Sequence, residues 1–454
     1  MKIDTKIVAA DLAKPVAHVL ELAGDKARLL DREWDDAQGA PVFTKDGQYT
    51  AHEWTDWTRG FQYGLALLAF DGTDQPDLLE LGRSRTVQFM APHVSNAGVH
   101  DHGFNTISTY GNLRRLMREK RIAFEEWEMA LYEMAIKASG AVQAARWSQL
   151  PDGGYIYSFN GPHSLFIDTI RTLRVLGVAH QLGQVLLDKN GEKVSLLDRL
   201  ITHVKTTSQS NIYYGTARDA YDTPASRGRT AQEVIFGDGD GRLPCPNSQQ
   251  GYSPFSTWTR GLAWAILGLV EELEFLRSLG PVQRQHEVME VLEKAVRATA
   301  DFYIDHATAA DGIPYWDTGA PNLHRLGEWR LRNAEPFNEH EPVDSSAAAI
   351  AAQGLLRLGK YVAAGGSRYT HAGLTVARTL FNAGYLSESA EHQGLLLHSV
   401  YNRPNGWDFI PPGCKVPCGE SSLWGDYHVA ELAIYLQRMA DVKRPYYAFF
   451  DAAI

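Results

Sequence analysis

The sequence predicts an all-α fold, and three observations predict it. Apolar residues recur at helical spacing in twelve segments, while strand-like alternation is rare. Every second segment is the more apolar of its pair, and its neighbours are amphipathic. Six segments, again every second one, begin with a polar or aromatic cluster. Helices apolar on all sides belong inside a ring of amphipathic ones. The expected architecture is therefore an (α/α)6 barrel, a six-hairpin double toroid formed as a single domain over residues 1–454.

The twelve segments are 9–30, 55–70, 76–92, 103–121, 123–148, 164–184, 194–211, 256–278, 286–306, 344–362, 367–386 and 425–441. They fall into six hairpins of about 60–70 residues, a weak internal repeat. Thr257-Trp-Thr-Arg-Gly-Leu-Ala-Trp-Ala-Ile-Leu-Gly-Leu-Val-Glu271 is nearly apolar all round, and Ala347-Ala-Ala-Ile-Ala-Ala352 is small and apolar. Small residues let inner helices approach closely. The segment 123–148 carries Glu and Lys on one face, as an outer helix requires. Residues 394–401 are the one short strand candidate. Three long aperiodic stretches, 212–255, 307–343 and 387–424, precede inner helices; loops of that length usually carry function.

Alternate helices of a toroid run the same way, so all six clusters meet at one end of the barrel. They are Trp57-Thr-Arg-Gly-Phe61, His100-Asp-His-Gly-Phe104, His163-Ser-Leu-Phe-Ile-Asp168, Thr257-Trp-Thr-Arg260, Asp344-Ser-Ser346 and Ser421-Ser-Leu-Trp-Gly-Asp-Tyr427. That end is one candidate site.

Composition narrows its ligand. A net charge of −10 disfavours nucleic acid and acidic membrane surfaces as partners. Eleven Trp and twenty Tyr serve equally as sugar-stacking faces or as barrel core. No window of about 18 apolar residues suggests a membrane span. The N-terminus lacks an apolar leader pattern, and three cysteines fit a reducing compartment, so a cytoplasmic protein is expected. Cys414 and Cys418 form a C-x3-C with no second ligand pair, which argues against zinc. Asp238-Gly-Asp-Gly241 lacks the later acidic ligands of a calcium loop. There is no Gly-x-Gly-x-x-Gly after a strand, no phosphate-binding Walker sequence and no Gly-x-Ser-x-Gly elbow, so neither a cofactor nor a metal is expected.

Asp101 and Asp168 are the acid/base candidates. Glycosyl chemistry uses one group to donate a proton and another to steady charge or activate water. Each has a structural alternative: Asp101 as a helix cap, and Asp168 as an ion-pair partner of Arg171 one turn on, with Ser164 as the cap of that helix. Arg260, set between Trp258 and Trp264, suits a bidentate carboxylate ligand or an ion pair to a neighbouring loop. Asp344 and Asp426 read mainly as helix-start residues. His100, His102 and His163 either bind substrate or satisfy nearby carbonyls.

The clusters, in this order and spacing, resemble the unsaturated glucuronyl hydrolases (glycoside hydrolase family 88) and the related unsaturated rhamnogalacturonyl hydrolases (family 105). The matching stretches run from about residue 54 to 440. They include Trp57-Thr-Arg-Gly-Phe61, His100-Asp101, Ile167-Asp168, Gln250-Gly-Tyr252, Arg260-Gly-Leu-Ala-Trp264, Asp344–Ala352, Leu395-Leu-Leu-His-Ser399 and Trp424-Gly-Asp-Tyr427. The resemblance implies a metal-free barrel in which Asp168 is general acid and base and Asp101 assists. It implies a substrate site of His100, Trp57, Phe61, Gln250, Arg260 and Trp264, to which His163 and His398 are added as further candidates. The implied substrate is an oligosaccharide ending in a 4,5-unsaturated uronic acid, and the implied reaction is hydration of that double bond. Three departures stand out: Gln62 where the family has Trp, no His in the loop after residue 205, and an unusual Gly406–Glu420 loop. The competing readings are a polysaccharide lyase using Tyr213 or Tyr214 with His163, a sugar epimerase or isomerase, and a saccharide-binding protein. The chain is expected to act as a monomer or homodimer.

Overall fold

A computed structural model of the chain describes residues 1–52, 56–237, 244–280, 283–362, 365–441 and 443–451; Asp238-Gly-Asp-Gly241 lies outside them. Among the described residues, twelve principal helices occupy the twelve predicted segments. The outer helices are α1 (Ala13–Glu33), α3 (Pro76–Phe89), α5 (Glu126–Ala145), α7 (Leu196–Ser210), α9 (Gln283–Phe302) and α11 (Gly366–Leu380). The inner helices are α2 (Arg59–Thr73), α8 (Thr259–Ser278), α10 (Ser345–Tyr361) and α12 (Leu423–Ala440), with two interrupted ones between α2 and α8. Of these, α4 joins His102–Thr106, a π-helical turn Ile107–Gly111 and Asn112–Arg118, and α6 joins Thr169–Thr172 to Arg174–Gln181. Each inner helix packs on the next, and α12 packs back on α2, which closes the ring. One apolar cluster runs through it from Ile7 to Phe450.

Glycine sets how tightly the inner helices meet. A Cβ on Gly60 would lie 2.4 Å from the Asn105 carbonyl oxygen, and one on Gly103 would lie 2.0 Å from that of Thr172. The Gly-Phe pairs in the first two clusters are thus contact points between α2, α4 and α6. Gly103→Ala is expected to destabilise the fold by at least about 2 kcal/mol through overpacking, read as a fall in the urea midpoint.

Short strands decorate the helix connections. β1 (Pro41–Lys45) pairs with β2 (Gln48–Ala51), and β3 (Trp147–Leu150) with β4 (Gly153–Ile156). β5 (Ser164–Phe166) starts where the sequence predicted helix. β6 (Val185–Leu187) pairs with β7 (Lys193–Ser195), and β5 pairs antiparallel with β8 (Glu233–Ile235), which pairs with β9 (Cys245–Asn247). Ser164 is therefore a strand residue whose hydroxyl donates to buried Glu233, 2.5 Å away, and it does not cap α6. The apolar run Leu165-Phe-Ile167 is compatible with either element, and long-range pairing with β8 decides. Residues 394–401 form isolated bridges, Leu386 to Leu396 and Leu397 to Ser421, and no strand.

Four buried histidines resist protonation: burial pulls His102 and His398 down to about 4, and His203 and His428 down to about 3. The unfolded chain takes up these protons near pH 6.5, so their contribution to stability is lost as pH falls from about 6.5 toward 3–4. Asp317 and Asp426, raised by burial to about 6, act oppositely, and their penalty is relieved over part of the same range. Glu272, raised well above its usual range by burial, acts with the two aspartates, whereas Glu431, for which Arg171 and Arg174 outweigh burial, is held at about 2 and adds to the loss. Calorimetry is expected to show Tm falling between pH 6.5 and 4.

Candidate active site

The cluster residues converge at the end of the barrel where outer helices lead into inner ones. A single pocket there is lined by Trp57, His100, Asp101, Phe104, Asp168, Gln250, Trp258, Arg260 and Trp264. Each stands at or near the start of an inner helix or on the connection into it, which explains why residues 200 positions apart in sequence share one cavity.

The carboxylates sit on one wall. Asp101 and Asp168 occupy the N-cap positions of α4 and α6, yet neither side chain makes a capping bond. By contrast, Asp344 accepts from Ser346 and Ala347 N–H, and Asp426 accepts from Leu395 and Leu396 N–H and from the Tyr49 hydroxyl. Arg171 turns away from Asp168 toward the barrel base, where it meets Glu271 at 2.9 Å and Glu431 at 3.1 Å. The capping and ion-pair alternatives are therefore not what Asp101 and Asp168 do.

His100 lies between the two carboxylates. Its Nε2 is 3.2 Å from Asp168 Oδ1 and 3.7 Å from Asp101 Oδ1. Phe159 stacks on the imidazole, and Phe166 meets it edge-on. Burial opposes the imidazolium, but Asp101 and Asp168 outweigh it and raise the His100 pKa. Burial also raises the pKa of Asp101, helped by the Asp168 charge and opposed by His100. His102, one residue on, points elsewhere and is held by Ser139 Oγ and the Asn96 carbonyl.

Arg260 lines the same pocket. Its guanidinium donates to Asp344 Oδ2 at 2.9 Å, to the carbonyls of Val400 and Tyr401, and to Gln250 Oε1 at 2.8 Å. Trp258 and Trp424 sandwich it, with ring centroids 4.5 and 4.9 Å away. Both terminal nitrogens are thus engaged by the protein, so the carboxylate-holding geometry read from the sequence is already filled from within.

An aromatic floor joins the walls. Trp57 stacks on Trp424 at 5.0 Å, and Phe104 meets Trp264 at 4.9 Å. Phe61 is fully buried beneath Trp57 and does not line the cavity. His163 is exposed on the approach to β5, outside the lining. His398 is also outside it: its Nδ1 accepts from Gly419 N–H, and its Nε2 is 3.1 Å from the Gly384 carbonyl. Of the two proton abstractors in the lyase reading, Tyr213 is buried against Arg218 and Arg229 and Tyr214 donates its hydroxyl to the Ser208 carbonyl; neither lines the pocket.

The remaining wall comes from residues that sequence reasoning did not single out. Tyr401, Asn402, Asn405 and Trp407 line the cavity from the long connection before α12. Their signal was composition: Tyr401-Asn-Arg-Pro-Asn-Gly-Trp407 is a polar and aromatic turn inside an aperiodic stretch. Two partly buried N–H to carboxylate bonds, from Tyr401 and Asn402 to Asp408, hold that turn. No group of His, Cys, Asp and Glu among the described residues is arranged to hold a metal ion.

No protein-family model matches the chain. Among curated proteins, an unsaturated glucuronyl hydrolase of Bacillus sp. strain GL1 is 26% identical over 406 residues, spanning 86% of this chain and 89% of that protein. An unsaturated chondroitin disaccharide hydrolase of Streptococcus pyogenes is 23% identical over 92% of this chain and 90% of its own length. The chain is a relative of the unsaturated glucuronyl hydrolases. Solved members of that group carry the same fold. A heparin-specific unsaturated glucuronyl hydrolase superposes with a TM-score of 0.70 at 21% identity, covering 95% of this chain and 98% of its own. The Streptococcus agalactiae unsaturated glucuronyl hydrolase gives 0.66 at 21% identity over 93% and 91%.

Proposed function

We propose that the protein is a glycoside hydrolase that removes a 4,5-unsaturated uronic acid from the non-reducing end of oligosaccharides. The observation that carries this reading is the Asp168–His100–Asp101 array facing an aromatic floor in one pocket. The kinship with hydrolases of unsaturated uronyl saccharides supports it.

The chemistry follows from the substrate. Its C4–C5 double bond carries the ring oxygen, so it is an enol ether. Asp168 protonates C4, which builds oxocarbenium character at C5 and the ring oxygen. Asp101 supplies a nearby negative charge in a water-poor wall, where such stabilisation is strongest. Water adds at C5, its proton returns to Asp168, and the hemiketal opens to release the remaining saccharide. His100 keeps the two carboxylates at fixed separation and spreads their charge.

Arg260 is a positioning residue in this scheme. It holds Gln250 and the Tyr401 segment against the cavity, while Trp57 and Trp264 offer faces to the sugar. Carboxylate recognition then falls to neutral donors such as Gln250, whose amide nitrogen is left available when its Oε1 accepts from Arg260.

The test is direct. The substrate absorbs in the ultraviolet because its double bond is conjugated with the carboxylate, and hydration destroys that chromophore. Absorbance is expected to fall during incubation with unsaturated disaccharides. A rise with intact polymer indicates a lyase, and constancy across a panel of unsaturated disaccharides overturns the proposal.

A further inference from the structure

The connection that carries Tyr401, Asn402, Asn405 and Trp407 to the pocket also carries two of the three cysteines. Cys414 and Cys418 are both free thiols, with sulfurs 3.4 Å apart. Cys414 is exposed and Cys418 is buried. The connection is anchored at both ends. Near its start Asp408 binds the Tyr401 and Asn402 N–H groups; near its finish Gly419 N–H donates to His398, and the Glu420 carbonyl accepts from Ser399 N–H. Between these anchors, Cys414 N–H closes a turn onto the Pro411 carbonyl, and Lys415 meets Glu339 at an exposed ion pair. The stretch Pro412–Lys415 lies at the surface, and the thiol contact places its Cys414 against buried Cys418.

We propose that Cys414 and Cys418 are an oxidisable pair whose disulfide fixes the loop forming one wall of the pocket. The oxidant class is a low-molecular-weight disulfide such as oxidised glutathione. Exposed Cys414, as thiolate, attacks one sulfur of the oxidant, forming a mixed disulfide and expelling a thiolate that takes up a proton. Cys418 then loses its proton and attacks the Cys414 sulfur, expelling the second small thiol. The protein dithiol gives up two electrons and two protons, and the small disulfide becomes two thiols. The order follows from access and acidity: burial, together with Cys414, pushes the Cys418 thiol up to about 12, so it is the poorer first nucleophile. Cys245, exposed on β9, has neither cysteine as a neighbour in its strand and serves as the independent thiol.

The test uses the full chain carrying Cys245→Ser, incubated with oxidised glutathione, denatured and titrated with Ellman's reagent alongside intact mass. Both thiols are expected to disappear with loss of only two hydrogens of mass. Cys418→Ser in the same background is expected to stop at one glutathione adduct on Cys414. A lasting glutathione adduct when both cysteines are present, or retention of both thiols, overturns the pairing. Hydrogen exchange reads the loop: amides in 401–418 slow on oxidation and recover with dithiothreitol, and unchanged exchange overturns the stiffening. These readouts need no turnover, so they stand whatever the saccharide assay shows. Where turnover is seen, KM is expected to shift on oxidation in the Cys245→Ser protein and not when Cys414→Ser is added.

Discussion

Asp168→Asn is expected to lower kcat for an unsaturated disaccharide by about 10³-fold, within the range for loss of a positioned general acid. The fold should be indifferent to the change. The Asp168 side chain is 13% exposed, makes no capping bond to α6, and faces His100 across 3.2 Å, a contact that an Asn carbonyl can keep. The stability cost is therefore expected to stay near the ordinary single-substitution value of about 1 kcal/mol. The pairing of lost turnover with retained stability is the informative outcome, read by absorbance decay and a thermal melt on one preparation. Retained turnover would remove Asp168 from the reaction. A large fall in Tm would return it to a structural role.

Arg260→Ala is expected to do the reverse, damaging architecture first and activity through it. Removing the guanidinium leaves Asp344 buried without its cation and frees the Val400 and Tyr401 carbonyls from their donor. Breaking a buried pair from one side costs about 3–5 kcal/mol. The Tyr401–Trp407 wall and Gln250 lose their common anchor, so KM is expected to rise together with the fall in stability. Arg260→Lys is expected to recover little, because one ammonium cannot reach Asp344, two carbonyls and Gln250 from between two indoles. Urea unfolding and a KM-against-kcat comparison check this. A variant that melts normally yet loses affinity for the uronate alone would make Arg260 a direct carboxylate ligand.

The two variants separate groups that look alike in the sequence. Asp101, Asp168, Asp344 and Asp426 are all carboxylates near helix starts, and the sequence alone offers each a structural role: a cap for Asp101, Asp344 and Asp426, and an ion pair to Arg171 for Asp168. In the folded chain Asp344 divides its oxygens between backbone N–H groups and Arg260, and Asp426 accepts from backbone N–H groups and the Tyr49 hydroxyl. Asp101 and Asp168 spend theirs on His100 and the pocket. The difference lies in which neighbour arrives first, and that neighbour comes from a distant part of the chain.

Helix periodicity and the alternation of apolar with amphipathic segments determined the double ring, because burial on all sides or on one side is written into each segment's own residues. The recurrence of clusters at every second helix determined which end of the ring holds the candidate site. Only the tertiary structure decided that Ser164–Phe166 pairs as a strand, that Arg260 is saturated by its own loop, and that His398 and His163 stay outside the cavity. It also brought Tyr401–Trp407 into the wall. Periodicity is a local property, whereas partners for a strand edge, a guanidinium or an imidazole come from other elements: Ser164 and Glu233 are 69 residues apart, Arg260 and Asp344 84, and His100 and Asp168 68. The six clusters therefore marked the barrel mouth, and the long-range bonds sorted their residues into chemistry, scaffold and bystander.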